Sequence, residues 1–383
     1  MRIALDARTI YWPVRRGTGR NLIDLYRHLS MIRRHWQVLA YHRLTAPIEP
    51  PLPQPFVQPR LIEMPGDRFD AWQRFRLPLA AWRDEADLLH CPANTCPGWM
   101  PLDTVVTIHD LIPLDLPAGR PAGEVRRFEQ SVRTACRRAA WLICPSVYTR
   151  NRLVHQFGAD PARLTVNPWA PDSSMRRVEP DEYAPVLQRY GIDRPFVLHF
   201  GAVAPRKNTR RLLKAWARLD RSIRTEWRLL VVGLDETFRS RMAHAAERWG
   251  IGDSVVLGGF ADEADLPALL SGADVLAYPS LSEGFGLPIL DAWVTGTAVL
   301  TANRTSLPEV AADAACLVDP TDTDEISTAL AQLIVDPANR ADLVERGRKR
   351  VRQYTWARTA RRFAEALEQA VGLIGEVPMR MAA

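Results

Sequence analysis

Short apolar runs alternate with amphipathic segments of helix length along most of the 383 residues, and this alternation constrains the fold more than any other feature. Such a pattern is typical of α/β domains in which helices connect parallel strands. In the first half it predicts strands near 2–6, 36–41, 87–90, 104–108, 140–144 and 163–166. The helices predicted between them lie near 19–30, 70–83, 123–138 and 147–156, and a proline-rich stretch at 47–59 is typical of an extended loop.

A polar, proline-containing stretch at 168–195 interrupts this pattern, as a linker between two domains would. The alternation then restarts, with strands predicted near 196–201, 228–233, 254–258, 274–278, 297–301 and 315–318. Helices are predicted near 208–219, 236–249, 287–295, 323–335, 339–352 and 356–372. We therefore predict two Rossmann-like α/β domains, 1–175 and 195–355, that face each other across a cleft, with C-terminal helices packing back over the junction and the last one, 356–383, crossing toward the first domain.

The composition narrows the class of protein. With 47% hydrophobic and 25% charged residues, the chain matches an ordinary globular protein and neither a collagen-like nor a wholly disordered one. No stretch approaches the ~18 to 20 uncharged apolar residues of a membrane helix, and the first residues run into a predicted strand without a secretory signal. The five irregularly spaced cysteines are then expected to be reduced thiols without a zinc-binding spacing, in a cytoplasmic protein.

Positive charge is concentrated in the N-terminal half. Residues 1–180 carry 25 arginines against 17 acidic residues, a net charge of +8, whereas residues 181–383 carry a net charge of −2. A basic half of this kind suits a phosphorylated acceptor or peripheral contact with an anionic membrane, here the cytoplasmic face of an inner membrane. Nucleic acid is the competing partner, but the arginines are dispersed and no nucleic-acid-binding motif is present, so we expect none.

A glycine-rich segment at 16–20, which contains Gly17 and Gly19, follows the first predicted strand. A dinucleotide-binding fingerprint would need a third small residue where Leu22 stands and an acidic residue after the second strand, and the sequence has neither. The segment predicts either a turn whose backbone amides approach a bound group at a helix N-terminus, or a plain flexible turn.

His109 and Asp110 end the apolar strand predicted at 104–108 and so lie at the carboxyl edge of a sheet. Ligands of open α/β sheets bind at this edge. A neutral imidazole both donates and accepts hydrogen bonds, so the pair can orient or polarise a substrate hydroxyl. A histidine satisfied within the fold is the alternative.

The segment at 282–291, SEGFGLPILD, follows the strand predicted at 274–278 and is the strongest local motif. Pro288 suits the first turn of a helix, and the backbone amides before it form, together with the helix dipole, an anion site that fits a diphosphate. Glu283 precedes this helix and can reach into the cleft, while Asp291 is expected in its first turn. The loop residues that supply the amides are Gly284, Phe285, Gly286 and Leu287.

Two cations, Arg206 and Lys207, follow the strand predicted at 196–201 and so reach the same edge of their sheet. They could neutralise a diphosphate and make it a better leaving group, and a solvated charged loop is the alternative. Farther along, 322–324 spells a metal-binding D-x-D pattern. Asp322 followed by Glu325 is instead typical of a helix N-cap, so no metal is expected at this string.

Taken in order, the glycine-rich segment, the strand-end His-Asp, the PRKN string at 205–208 and the EGFGLP string at 283–288 resemble the retaining glycosyltransferases of family 4, with the GT-B fold. The resemblance covers nearly the whole chain and is closest to the mannosyltransferase-type members. It implies a hexosyltransferase that keeps the anomeric configuration of the sugar and needs no metal or other cofactor. The expected donor is GDP-mannose, with UDP-sugars next, and the acceptor is a saccharide or lipid-linked saccharide in bacterial polysaccharide synthesis.

The same resemblance implies a role for each candidate residue. The cationic pair and the loop amides would bind the donor diphosphate, Glu283 would hold sugar hydroxyls, and the second carboxylate of the motif would meet the ribose. One histidine would lie beside the transferred sugar, and the remaining residues would belong to the acceptor side. By position these are Arg206, Lys207, Glu283, Gly284, Phe285, Gly286, Leu287 and Asp291 for the donor, His109 for the sugar, and Gly17, Gly19 and Asp110 for the acceptor.

Two positions depart from the family's pattern. Asp291 stands where the family usually has Glu and is one methylene shorter, so its ribose contact would be bridged by water. The residues at 202–204, AVA, lack a polar or basic side chain that many members carry before the cationic pair. A catalytically inactive nucleotide-sugar-binding subunit is therefore the alternative outside the enzymes.

Overall fold

The computed structural model describes residues 1–12, 17–43, 52–63 and 71–372. It divides into two compact units, one formed by Met1–Trp169 with the segment that begins at Thr355, and the other by Ala170–Tyr354. We call them unit 1 and unit 2. Each is built on a parallel sheet with helical connections, which confirms the predicted class of two Rossmann-like α/β domains.

Unit 1 contains a seven-stranded parallel sheet. Its strands are β1 (Arg2–Asp6), β2 (Gln37–His42), β3 (Val57–Leu61), β4 (Leu88–Cys91), β5 (Asp103–Thr107), β6 (Trp141–Cys144) and β7 (Leu164–Val166). They pair in the order β3-β2-β1-β4-β5-β6-β7. The helices between them are α1 (Gly17–Ile32), α2 (Leu77–Arg83), α3 (Ile112–Asp115), α4 (Ala122–Arg138) and α5 (Val147–Phe157), and one π-helical turn (Trp72–Arg76) leads into α2.

Unit 2 contains a six-stranded parallel sheet. Its strands are β8 (Phe196–Phe200), β9 (Arg228–Val232), β10 (Val255–Leu257), β11 (Val275–Tyr278), β12 (Ala298–Ala302) and β13 (Cys316–Val318), in the order β10-β9-β8-β11-β12-β13. Its longer helices are α6 (Pro180–Arg189), α7 (Thr209–Ala217), α8 (Arg221–Glu226), α9 (Glu236–Arg248), α10 (Leu266–Gly272), α11 (Leu287–Thr295), α12 (Leu307–Ala311), α13 (Thr323–Val335) and α14 (Pro337–Val351). The central strands are buried along their length, as is typical when helices cover both faces of a parallel sheet.

The two C-terminal helical segments belong to different units. The first, α14, packs against α11 and β12 within unit 2. The second, α15 (Trp356–Ala370), lies in unit 1, where it packs against α1. Phe363 on its apolar face meets the ring of Tyr26 edge-on with centroids 5.8 Å apart, and Glu368 pairs with Arg33 at 2.6 Å. This helix therefore completes the core of unit 1, although about 185 residues of unit 2 separate it from the rest of that unit in the sequence.

The loop prediction for 47–59 is wrong at its end. Residues 57–59 belong to β3, which pairs with β2 so that Val57 lies opposite Val38. Pro59 has no N–H to donate, but β3 is the edge strand of the sheet, and a proline is tolerated there. Residues 54–56 form a turn, and 47–51 lie outside the described residues.

The linker prediction for 168–195 is also wrong in part, because it overlooks α6 at Pro180–Arg189. Pro180 at the first helical position and the acidic residues of the first turn, Asp181 and Glu182, are typical of a helix start. Leu187 is buried on the face that packs against α10. Part of the polar, proline-containing stretch that indicated a linker is thus the start signal of a short amphipathic helix, which also tolerates Pro185 in its interior.

Asp322 caps α13 as its sequence context predicted. Its Oδ1 accepts hydrogen bonds from the backbone N–H groups of Asp324 at 2.8 Å and Glu325 at 3.1 Å. These two N–H groups have no partner inside the helix, so the carboxylate satisfies them. The D-x-D string is therefore a helix N-terminus.

Candidate functional site

Loops at the carboxyl ends of four neighbouring strands in unit 2, β8, β11, β12 and β13, are tied together by hydrogen bonds. The Leu281 N–H donates to the Arg206 carbonyl at 2.7 Å and so joins the loops after β11 and β8. Asn208 reaches farther, because its Nδ2 donates to the carbonyls of Pro279 at 3.0 Å and Pro320 at 2.7 Å. Asn208 itself adopts a left-handed backbone conformation, φ 61°, which asparagine tolerates better than most residues. The cationic loop therefore has a defined position against the Glu283 loop.

Three hydrogen-bond donors at this edge of the sheet converge on the carboxylate of Glu283. Its Oε1 accepts hydrogen bonds from Arg206 Nη1 at 2.5 Å, Lys207 Nζ at 3.1 Å and the Tyr278 hydroxyl at 2.6 Å. The side chains of Glu283 and Lys207 are only 10% and 13% exposed, so these bonds form largely out of water. In the described part of the chain no donor reaches Oε2, which leaves that oxygen available to a ligand hydroxyl.

The three groups around Glu283 shift one another's protonation. Burial lowers the pKa of Lys207 to about 8, and the neighbouring Glu283 opposes that shift. Burial also disfavours ionised Glu283, but Lys207 and Arg206 outweigh it and hold the pKa of Glu283 below its usual range. Burial and the adjacent Glu283 raise the pKa of Tyr278 well above that of a free phenol. Near neutral pH the cluster is a carboxylate between two cations, with Tyr278 as a neutral donor.

The loop from Gly284 to Leu287 presents backbone N–H groups to the same edge. No described residue accepts a hydrogen bond from the N–H of any of these four residues, and α11 begins at Leu287. Gly286 has φ +112°, and a Cβ on it would lie 2.8 Å from Cδ2 of Leu307, so no other residue fits there without displacement. Unpaired N–H groups at the positive end of a helix are an arrangement suited to anions, and diphosphate binding at this loop stays a prediction.

Asp291 lies deeper in α11 than predicted. Because the helix begins at Leu287, Asp291 falls beyond the first turn, and the first-turn prediction is wrong. Its Oδ1 accepts a hydrogen bond from the backbone N–H of Asp172 at 3.1 Å. One carboxylate oxygen of Asp291 is thus already hydrogen-bonded to the backbone of the protein.

Several residues that hold Glu283 in place escaped the sequence analysis. The Thr305 hydroxyl accepts a hydrogen bond from the Glu283 N–H at 3.2 Å. The Ser306 hydroxyl lies within reach of two carbonyls, of Glu283 at 2.9 Å and of Phe285 at 3.2 Å. Tyr278 was assigned only to a buried strand, although a tyrosine as the last residue of a strand was a signal for its polar role at the edge.

In unit 1, His109 follows β5 and is held in one tautomer. Its backbone N–H donates to Oδ1 of Asn94 at 2.5 Å, and its Nε2 lies 2.5 Å from the carbonyl of Pro92. A carbonyl only accepts, so Nε2 carries the hydrogen and Nδ1 carries the lone pair. Burial lowers the pKa of His109 to about 4, and the ring stacks on Trp169 with centroids 5.7 Å apart. The imidazole is therefore neutral and can accept a hydrogen bond at Nδ1.

Asp110, Gly17 and Gly19 each lie at the start of a helix of unit 1. Oδ1 of Asp110 accepts a hydrogen bond from the N–H of Ile112 at 3.0 Å, at the start of α3. Gly17 and Gly19 lie in the first turn of α1, so the predicted glycine turn is helical from Gly17 onward, and residues 13–16 lie outside the described ranges. A Cβ on Gly17 would meet no atom within 4 Å, so the packing does not require glycine there.

The unit 2 edge can bind a diphosphate and a hydroxylated group together. Two cations and four unpaired N–H groups supply charge and donors for phosphate oxygens, and Oε2 of Glu283 supplies an acceptor for hydroxyls. Within the described ranges, no three His, Cys, Asp or Glu side chains come together in a way that could hold a metal ion.

Comparison with known proteins gives matches over both units. Residues 188–350 match the family model "Glycosyl transferases group 1", and residues 15–173 match "Glycosyltransferase Family 4". The chain is 31% identical over 303 residues to the O-antigen chain mannosyltransferase B of Escherichia coli, covering 78% of this chain and 77% of that protein. It is also 31% identical to a GDP-mannose-dependent α-(1-6)-phosphatidylinositol monomannoside mannosyltransferase of Mycolicibacterium smegmatis, over 58% of this chain and 60% of that protein.

A solved structure shares the fold over nearly the whole chain. The sucrose-phosphate synthase of Thermosynechococcus elongatus superposes with a TM-score of 0.79 at 20% identity, covering 98% of this chain and 100% of that one. At this identity the likeness concerns the fold alone.

Proposed function

The chain belongs to the family 4 glycosyltransferases of the GT-B fold, and from this membership we propose that it transfers mannose from GDP-mannose to a saccharide or lipid-linked saccharide in bacterial polysaccharide synthesis. The observation that carries the proposal is the convergence of Arg206 and Lys207 on Glu283, beside four unpaired backbone N–H groups. The mannosyltransferases among its relatives favour this sugar, and one of them is named for GDP-mannose.

Binding of the donor would use both halves of this arrangement. Phosphate oxygens would accept hydrogen bonds from the N–H groups of Gly284–Leu287 and from the two cations. Sugar hydroxyls would donate to Oε2 of Glu283, whose position is fixed by the donors on Oε1. As the bond from the sugar to the diphosphate breaks, negative charge grows on the leaving oxygen, and Arg206 and Lys207 stabilise it.

We further propose that transfer retains the anomeric configuration and proceeds on one face of the sugar, without a metal. The bond from the anomeric carbon to the diphosphate oxygen breaks, the bond to the acceptor oxygen forms, and the acceptor proton passes to the leaving phosphate. A double displacement would need a carboxylate nucleophile, but Glu283 is committed on Oε1 to two cations and a tyrosine, which lowers its nucleophilicity. In unit 1, Nδ1 of neutral His109 is the proposed acceptor for a substrate hydroxyl.

A second candidate function is a nucleotide-sugar-binding subunit without catalysis. The observation that favours it is the contact between Asp291 and the backbone of Asp172, because it occupies an oxygen of the carboxylate expected to meet the ribose. This candidate predicts that a nucleoside diphosphate binds and that no sugar is transferred.

The experiment that tests the proposal is a thermal-shift panel with GDP, UDP, ADP, dTDP and CMP, each with and without EDTA, followed by transfer assays. A ligand at about a hundred times its Kd should stabilise the fold by roughly 2.7 kcal/mol. We expect a shift with GDP that EDTA leaves unchanged, and transfer from GDP-mannose. A shift with UDP alone would indicate that the donor is a UDP-sugar and not GDP-mannose. The absence of any shift would overturn the proposed donor site.

The affinity for a nucleoside diphosphate should depend on the ionisation of Lys207. With its pKa at about 8, Lys207 is charged below that pH and loses its proton above it, so affinity should fall as the pH rises from 7.5 to 9.5. The slope should approach tenfold per pH unit until the pKa of the bound state is reached. The free protein should show the opposite trend in stability, because the unfolded state keeps the proton on this lysine up to about pH 10.

Isothermal titration of GDP across this range measures the effect. In the variant Lys207→Arg the cation stays charged throughout, and the fall in affinity should disappear. A wild-type profile as flat as that of the variant would show that Lys207 does not ionise in this window.

We propose that unit 1 makes the predicted peripheral contact with an anionic membrane. Four arginines and Gly98 line a cavity of about 450 Å³ in this unit, and the neighbouring aromatics Phe75 and Trp99 are 55% and 48% exposed. Cations beside exposed aromatic rings suit an interface of lipid headgroups. In the described part of the chain, no helix has both the length and the apolar character needed to cross a bilayer. The arginines are Arg74, Arg133, Arg137 and Arg138.

Co-sedimentation with phosphatidylcholine vesicles containing phosphatidylglycerol tests this contact. Binding should weaken as salt rises, and Arg133→Gln with Arg137→Gln should weaken it several-fold. The matched control, Arg241→Gln with Arg248→Gln, removes the same charge from α9 of unit 2 and should have little effect. Equal binding to pure phosphatidylcholine vesicles would contradict the electrostatic contact.

A further inference from the structure

Unit 2 contains a polar cavity at the opposite edge of its sheet from Glu283. It has a volume of about 870 Å³ and is lined where β8, β11 and β12 begin, by Phe196, Asp274 and Gly296 among others. The proposed donor site lies where the same strands end. We propose that this cavity binds a small phosphate monoester whose phosphate is held by Arg177 and Arg348. The proposal does not depend on the transferase function.

Two guanidinium groups converge on one point of the cavity wall. A Cβ placed on Gly296 would lie 2.4 Å from Nη1 of Arg177 and 3.0 Å from Nη2 of Arg348. Gly296 has φ +84° and ends α11, so the wall at this point is bare backbone. In the described ranges neither arginine makes a hydrogen bond or an ion pair. Three carboxylates also line the cavity, but Asp193 lies beside Arg194, Asp274 beside Arg340 and Glu345 beside Lys349. Two like charges side by side repel each other, and an anion between them would remove the repulsion.

The other arginines of the cavity have structural partners. Arg340 donates to the carbonyls of Leu333 at 2.6 Å and Ile334 at 2.8 Å, and lies 3.5 Å from Asp274. Arg194 lies 3.6 Å from Asp193 and also donates to a backbone carbonyl. These groups hold the wall together, which leaves the converging pair as the cations available to a ligand.

Attraction to the negative end of α11 is the alternative explanation for the pair. The N–H groups of Gly296 and Thr297 already cap the carbonyls of Trp293 and Ala292, at 3.3 and 2.8 Å. A helix end can attract one cation, but it does not account for two guanidinium groups at the rim of an open cavity. The planar donors of guanidinium match phosphate oxygens in pairs, so a phosphate group accounts for both.

The rest of the wall indicates what the phosphate is attached to. Tyr183, Leu187 and Val344 line the cavity and offer apolar surface beside the arginines. Its volume lies in the range of sites for small organic ligands, roughly 300–1,000 Å³, and exceeds what an inorganic phosphate needs. A phosphate monoester with a ring or a carbon chain would use both surfaces.

Titration calorimetry at constant ionic strength tests the site, with inorganic phosphate and phenyl phosphate as probes. Phenyl phosphate should bind at least about threefold more tightly than inorganic phosphate, because it also covers apolar surface. Arg177→Gln with Arg348→Gln should weaken phenyl phosphate by tenfold or more and leave GDP binding unchanged, which also shows that the variant is folded. The control pair Arg239→Gln with Arg346→Gln, surface arginines of the same unit, should bind as the wild type does.

A donor-site variant separates the two sites. Arg206→Gln with Lys207→Gln should keep phenyl phosphate binding, whatever becomes of GDP. Loss of phenyl phosphate in this variant alone would place it at the donor site and overturn the proposal. Equal binding by all variants, or no binding by the wild type, would also overturn it. As a second probe of the cavity, Ala341→Trp adds bulk to its wall and should weaken phenyl phosphate more than inorganic phosphate.

Discussion

Glu283→Gln should lower kcat/KM for sugar transfer by about 10²- to 10³-fold, the scale found when a preorganised polar group is removed from an active site. The glutamine fills the same space but brings no charge to the three donors that converge on Oε1. It also removes the group that opposes the effect of burial on Lys207, whose pKa should fall below about 8. At neutral pH the donor diphosphate would then lose part of a cation as well as the acceptor for a sugar hydroxyl.

Steady-state kinetics with GDP-mannose and a saccharide acceptor measure this loss, with circular dichroism to show that the variant is folded. Glu236→Gln, on the exposed surface of α9, is the matched control and should leave kcat/KM unchanged. Full activity of Glu283→Gln would contradict the role proposed for Glu283 in sugar transfer and make the non-catalytic binding subunit the better description.

Removing both cations, Arg206→Gln with Lys207→Gln, should weaken binding of the nucleoside diphosphate and transfer together, by about 10²- to 10⁴-fold. Each charge-assisted hydrogen bond contributes roughly 1.5–3 kcal/mol, and the two side chains reach the same point from one loop. The loss should be larger for transfer than for GDP binding, because charge on the leaving phosphate grows as the bond to the sugar breaks.

Calorimetry with GDP and kinetics on the same preparations separate these two effects. Arg210→Gln with Lys214→Gln removes the same charge from the adjacent helix α7, where both side chains are exposed, so this variant should behave as the wild type. If this control lost as much affinity as the loop variant, the net charge of the region would explain the effect and the specific contacts would not.

Most of the fold and of the proposed donor site could be predicted because the signals are local. Buried strands are short apolar runs, and Pro288 shortly after two glycines is typical of a helix N-terminus. The alternation of strands and helices also predicts that Arg206 and Glu283 lie at one edge of a sheet, because the carboxyl ends of parallel strands share an edge. Their side chains come into contact because β8 and β11 are neighbours in the sheet. That strand order cannot be read from the sequence.

The features that could not be predicted depend on contacts between distant residues. Asp291 accepts a hydrogen bond from a backbone N–H 119 positions away, which no local pattern records. Tyr278 and Thr305 acquire their roles only because β11 and β12 are neighbours. β3 contains Pro59 and α6 begins at Pro180, and an edge strand and the first turn of a helix are settings that tolerate proline. Pro185 lies in the interior of α6, where a proline normally argues against a helix, so the local pattern favoured a linker there.

Because α15 belongs to unit 1 yet follows unit 2 in the chain, the order of synthesis differs from the order of assembly. When the ribosome has completed Met1–Trp169, the surface of α1 that packs against Phe363 is still exposed, and Arg33 just after α1 still lacks Glu368. The intervening 170–354 take roughly 10 to 40 s to translate at 5–20 residues per second. During that interval a nascent unit 1 exposes apolar surface to chaperones, while unit 2, one uninterrupted segment, can fold as it emerges.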